Sequence, residues 1–125
     1  MKKILTILTL IFLLSQVNAQ IGNVSTSGSG SRSEVSIYNN NGSRISDFSL
    51  CQNCELAGHN SKFVYVIEWN KSNSKVLIYD SSGQQTRNSI PLGSEGMYVK
   101  SISNSEVIIG RGNSIFRFDI YGRRL

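Results

Sequence analysis

The chain has 125 residues, 39% of them hydrophobic, and a formal net charge of +5 that includes Lys2 and Lys3 at its very start. That length amounts to one domain, enough to close a single core. Beyond residue 19 the basic residues are scattered, with Arg123-Arg124 the one tight pair, so no stripe is available to track phosphates and nucleic acid is not an expected partner.

Residues 1–19 read as a secretory signal peptide. Lys2 and Lys3 make the positive start, residues 4–14 an apolar run broken only by Thr6 and Thr9, and Val17 and Ala19 put short side chains at the minus-three and minus-one positions. The run falls short of the roughly 20 apolar residues that a permanent span needs. No Cys stands at the cleavage point to take a lipid. The expectation is a secreted or periplasmic chain with no membrane insertion after cleavage. Residues 20–33 are mostly Ser, Gly, Asn and Thr, offer little to bury, and read as a flexible leader.

From residue 34 to 125 the texture changes to short runs rich in Val, Ile, Tyr and Phe, bounded by Asn, Ser and Gly, with no helical periodicity. Strands are expected at 34–39 and 43–50, then at 54–57, 62–68, 75–80 and 85–90, then at 97–103, 106–110 and 114–119. The single proline, Pro91, falls at the end of a run, where it interrupts no central ladder. The fold class is therefore all-β.

These runs repeat. Val35-Ser36-Ile37-Tyr38-Asn39 followed by Gly42 matches Val76-Leu77-Ile78-Tyr79-Asp80 followed by Gly83, and both match Ile115-Phe116-Arg117-Phe118-Asp119 followed by Gly122. Such a spacing, near 40 residues, is that of four-stranded propeller blades. A second match sets Asn60-Ser61 beside Asn104-Ser105 ahead of the preceding strand. Asn39, Asp80 and Asp119 are expected to accept a hydrogen bond from the backbone two residues on, while the glycine takes the positive-φ position that closes the hairpin. A calcium loop needs several alternating acids, and each of these turns offers at most one.

The pattern resembles the repeats of secreted bacterial β-propellers of the NHL-like, six-bladed type, whose third strand runs into a Tyr-Asp-x-x-Gly turn. Tyr79-Asp80-Ser81-Ser82-Gly83 fits in full, the third copy has Phe118 for Tyr, and the first has Asn39 for Asp. The resemblance implies antiparallel blades of four strands, about two and a half of them, in an incomplete ring; a small β-sandwich is the alternative. About nine strands in open blades leave unpaired edges at both ends, which predicts self-association, a homo-oligomer in which three copies close a ring and the two N-terminal strands of one copy fill the unfinished last blade of the next.

Cys51 and Cys54 are expected to form a disulfide, since the compartment is oxidising and there is no third Cys. A redox centre of the thioredoxin kind needs a helix after the motif, and haem attachment needs His where Glu55 stands. Cys51, Cys54, Gly58 and His59 follow zinc-knuckle spacing, but Val64 occupies the place of the last ligand, which leaves three ligands where a structural site takes four. His59 reads as a loop residue. With one His and few acids, no catalytic set is recognisable, although Glu55, Glu68 and Glu95 come from separate runs. No cofactor or metal is expected.

Trp69, Asn70 and Lys71 sit in a connection longer than its counterpart in the next repeat, on the same expected face as the Cys51–Cys54 loop. Two outcomes are open for Trp69: packing between blades, or exposure beside amides as a stacking surface for a protein or carbohydrate ligand. The functional expectation is a non-catalytic binding module, with Trp69, Asn70, Lys71 and His59 as ligand-binding candidates. A subunit or fragment of a propeller hydrolase or lyase, and a truncated gene product, are the alternatives.

Overall fold

The computed structural model describes residues 20–28, 33–93 and 96–125; the signal-peptide reading and Glu95 lie outside them. Ten strands follow one another: β1 (Ile21–Ser27), β2 (Glu34–Asn39), β3 (Arg44–Ser49), β4 (Cys54–His59), β5 (Phe63–Glu68), β6 (Ser74–Asp80), β7 (Gln85–Gly93), β8 (Met97–Ile102), β9 (Glu106–Arg111) and β10 (Ser114–Asp119). They form three antiparallel meanders, β1-β2-β3, β4-β5-β6-β7 and β8-β9-β10, none closed into a barrel. β4 adjoins both β1 and β8, and the second sheet lies between the other two in an incomplete propeller-like row.

Three turns share one device. Asn39 Oδ1 accepts from the N–H groups of Asn41 and Ser43, Asp80 Oδ1 from those of Ser82 and Gln84, and Asp119 Oδ1 from those of Tyr121 and Arg123. Gly42, Gly83 and Gly122 take φ of 82°, 84° and 93°. The expected turn chemistry is what the three hairpins use, because a side-chain oxygen satisfies two N–H groups that the tight turn leaves unpaired.

Packing follows from strand alternation. Val64, Val66 and Leu77 of the second sheet meet Val35, Ile37 and Ile21 of the first. Tyr65, Ile67, Val76 and Ile78, on the opposite face, meet Val107, Ile109 and Phe118 of the third. A sheet covered on both sides needs apolar residues at consecutive positions, which is why β5 reads Phe-Val-Tyr-Val-Ile where β2 reads Glu-Val-Ser-Ile.

Four expectations need correction. Residues 21–27 are not a flexible leader: β1 pairs with β2 along its length, placing Val24 opposite Ile37 and Thr26 opposite Val35. Polar residues belong there because Asn23, Ser25 and Ser27 are exposed on the face that no sheet of the described residues covers. The Asn60/Asn104 match is out of step by one residue. Ser103, not Asn104, does in the third sheet what Asn60 does in the second, accepting from the N–H groups two and three residues on; Asn and Ser cap such a turn equally well. Pro91 lies inside β7 opposite Lys75, and is tolerated there because β7 is an outer edge. Finally, the first sheet has three strands, β1 to β3, where two were expected.

Candidate functional site

At one end of the second sheet the chain leaves β5 at Glu68 and re-enters β6 at Ser74. The loop between them is held by Asn73 N–H donating to Asn70 O (2.6 Å) and Asn70 N–H donating to Ser74 Oγ (3.0 Å). Trp69 N–H donates to Asn53 O (2.9 Å), which ties this loop to the Cys51–Cys54 turn. That turn is closed by Cys54 N–H donating to Cys51 O (3.1 Å) and by the Cys51–Cys54 disulfide, Cα to Cα 5.0 Å. The expected disulfide is present, and the two loops share one end of the molecule.

The loops enclose a cleft of about 370 Å³ lined by Cys51, Gln52, Asn53, Glu68, Trp69 and Asn70. Beyond Trp69 a smaller recess of about 180 Å³ continues past Lys71 and Ser74 to Leu92 and Met97. Trp69 and Asn70 belong to both, so the indole stands as a ridge between a polar trough and an apolar one. The residue is 43% exposed, so of the two outcomes open for Trp69 it is exposure beside amides that the fold realises, at the mouth of a recess shared with Leu92 and Met97. Glu68 pairs with Lys75 at 3.7 Å and adds a carboxylate to the amides of Gln52, Asn53 and Asn70 along the trough.

His59 is elsewhere. Cys54–His59 is one six-residue strand, about 17–20 Å long, so its two ends cannot serve one site. His59 is therefore the last residue of a strand rather than a loop residue, and lines an open cleft of about 580 Å³ at the opposite end with Gln20, Asn40, Ser61, Ser103 and Asn104. Its Nδ1 lies 3.2 Å from Asn60 O. The zinc-knuckle spacing is thus not realised in space. Glu68 takes the third position near Cys51 and Cys54, all donor atoms within 4.8 Å, but sulfurs bonded to each other are not thiolates and cannot ligate as a zinc set.

Beneath the His59 end lies a buried polar network that the sequence reading passed over. Tyr65 donates its O–H to Ile120 O (2.7 Å) and accepts from Asn60 Nδ2 (3.0 Å), which also donates to Ser103 O (3.0 Å). Burial raises the Tyr65 hydroxyl to about 12, opposed by the Asn60 hydrogen bond and reinforced by Asp119 and Tyr121. The signal was a tyrosine inside a fully apolar run, since a buried O–H needs a partner. This network is a fastening between the second and third sheets. Besides Tyr65, the buried polar side chains among the described residues are Asn60 and Ser74, so Glu55 and Glu68 form no buried carboxylate cluster.

Comparison with protein-family models, with curated proteins and with solved structures returns no match.

Proposed function

We propose that this chain is an exported, non-catalytic recognition module of NHL-like propeller repeats, which binds a carbohydrate through the Trp69 end of the second sheet. The observation that carries this reading is the exposed indole between two recesses, flanked by Gln52, Asn53 and Asn70. Sugars present both C–H faces and hydroxyls. An aromatic plane takes the first and amides, as paired donor and acceptor, take the second. Both loops are braced by the disulfide and by the Trp69-to-Asn53 hydrogen bond, so less ordering is lost on binding. The disulfide agrees with export, because such bonds persist in oxidising compartments. Among the described residues no helix is long and apolar enough to cross a membrane.

Trp69 is the one tryptophan in the chain, so its emission reports this site alone. Titration with a panel of neutral oligosaccharides is expected to shift that emission saturably, and Trp69→Ala is expected to weaken binding, read by calorimetry, at least tenfold with an unchanged melt. A flat titration across the panel, or equal affinity in Trp69→Ala, rejects the carbohydrate reading; a shift produced instead by a protein partner assigns the same loops to protein recognition.

A further inference from the structure

The end of the second sheet that carries Trp69 also holds both cysteine sulfurs beside a carboxylate. Strand register puts them there. Cys54 of β4 lies opposite Glu68 of β5, and Glu68 opposite Lys75 of β6, so the three side chains form a row across one face of the sheet. The turn ahead of β4 adds Cys51, whose Cα is 5.0 Å from that of Cys54. Cys51 Sγ lies 3.9 Å from Glu68 Oε2, while the other carboxylate oxygen, Oε1, faces Lys75 Nζ at 3.7 Å. The lysine thus holds Glu68 with one oxygen turned toward the sulfurs.

We propose that Cys51, Cys54 and Glu68 form a zinc site that the disulfide masks and reduction opens. Three observations carry it. The donors suit the metal: once the S–S bond is broken they are two thiolates and a carboxylate, with the two cysteines at the Cys-x-x-Cys spacing that zinc takes. The distances suit it too. Zinc bonded at about 2.3 Å to sulfur and about 2.1 Å to oxygen, with tetrahedral angles, sets a sulfur and an oxygen about 3.6 Å apart. The three donor atoms here lie within 4.8 Å of one another, so the change that remains is for the sulfurs to part by rotation about their Cα–Cβ bonds. Finally, the frame of the site does not depend on sulfur. Cys54 N–H donates to Cys51 O and Trp69 N–H to Asn53 O, and these backbone bonds tie the turn to the end of β5.

Two thiolates and a carboxylate carry three negative charges; zinc offsets two of them and Lys75 the third. Three protein ligands leave a fourth position for water, and Cys51 and Glu68 present it to the cleft they share with Gln52, Asn53 and Asn70. Opening is thiol–disulfide exchange with a dithiol reductant, which reaches the exposed Cys51. A reductant thiolate attacks Cys51 Sγ and breaks its bond to Cys54; the second reductant thiol then displaces Cys51 and closes the reductant's own disulfide. Two electrons and two protons pass to the chain, and zinc binding releases the two protons to solvent. The site requires no sugar contact and stands apart from the carbohydrate reading.

Anaerobic titration with Co2+, a spectroscopic stand-in for zinc, tests the proposal after reduction by a phosphine, which leaves no thiol to compete for the metal. The expected result is one Co2+ per chain with sulfur-to-cobalt charge-transfer absorption, displaced by Zn2+, and no such absorption from the disulfide form. Glu68→Gln is expected to weaken binding by about tenfold or more. Circular dichroism melts of the reduced proteins check folding, and zinc is expected to raise the melt of the natural chain more than that of Glu68→Gln. A reduced natural chain that takes up no cobalt overturns the proposal. Equal affinity in Glu68→Gln does so as well, folded or not, because it would mean that the thiols bind metal without the carboxylate. One metal per two chains also overturns it, by assigning the metal to the cysteine pairs of two chains.

Discussion

The second and third sheets are built from the same repeat, yet one register position carries Ile78 in the second and Arg117 in the third. Ile78 is fully buried between two sheets, and Arg117 lies exposed over Glu106 with an Nε-to-Oε2 distance of 2.8 Å. The repeat therefore specifies backbone and turns, while the neighbour of each face specifies the side chains. The first sheet shows the same lesson in reverse, for Ser36 stands where Leu77 and Phe116 stand later, on a face that no sheet of the described residues covers.

Truncation at that shared position is the strongest way to break the comparison. Ile78→Ala is expected to cost about 2–5 kcal/mol, because it removes apolar volume from a closed interior. Arg117→Ala is expected to cost no more than about 1 kcal/mol, the range of an exposed ion pair. Urea melts of the two variants read both; equal losses would mean that the third sheet's outward face is as well covered as the interior.

Next in size is the fastening between the two sheets. Tyr65→Phe leaves the Ile120 carbonyl and one Asn60 donor short of a partner, with an expected loss of about 1–3 kcal/mol. Tyr65 also gives a pH signature. Its folded-state pKa, about 12, lies above the ordinary 10.0, so the fold favours the protonated phenol. The unfolded chain releases its proton first as pH rises, so this contribution to stability is whole below pH 10 and falls between pH 10 and about 12. In Tyr65→Phe the part of the alkaline destabilisation due to this residue is expected to vanish, and a melting curve that falls with pH as steeply as that of the natural protein would refute the assignment.

The smallest expected difference separates two glycines with one conformation. Gly42→Ala meets only the left-handed backbone cost of about 1–2 kcal/mol. Gly83→Ala meets that cost and a backbone oxygen 2.7 Å from the new methyl, so it is expected to be the more destabilising of the pair. Equal melting temperatures for the two would show that the first and second sheets separate enough to admit a methyl group.

The site divides along similar lines. Cys51 and Cys54 were legible because a CxxC pair with no third Cys has one partner available, and Trp69 because a long connection held a large aromatic among amides. Gln52 and Asn53 were not singled out, since polar loop residues look alike until the fold sets them against Trp69. His59 was grouped with the Cys loop by closeness in sequence, and the intervening strand carried it to the other end of the sheet.

From sequence alone came the strands from Glu34 onward, their all-β class, the three Asx-and-glycine turns and the repeat that orders them. All of these follow from local physics: alternation along a strand and hydrogen bonds within a few residues of one another. What only the tertiary structure decided was which faces meet. It made a strand of Ser- and Asn-rich residues 21–27 by giving Val24 and Ile21 a core to enter, it paired Ser103 rather than Asn104 with the role of Asn60, and it left Ile115 exposed where Val35 and Val76 are buried. Burial depends on a neighbour far away in the chain, and no local pattern states which neighbour that will be.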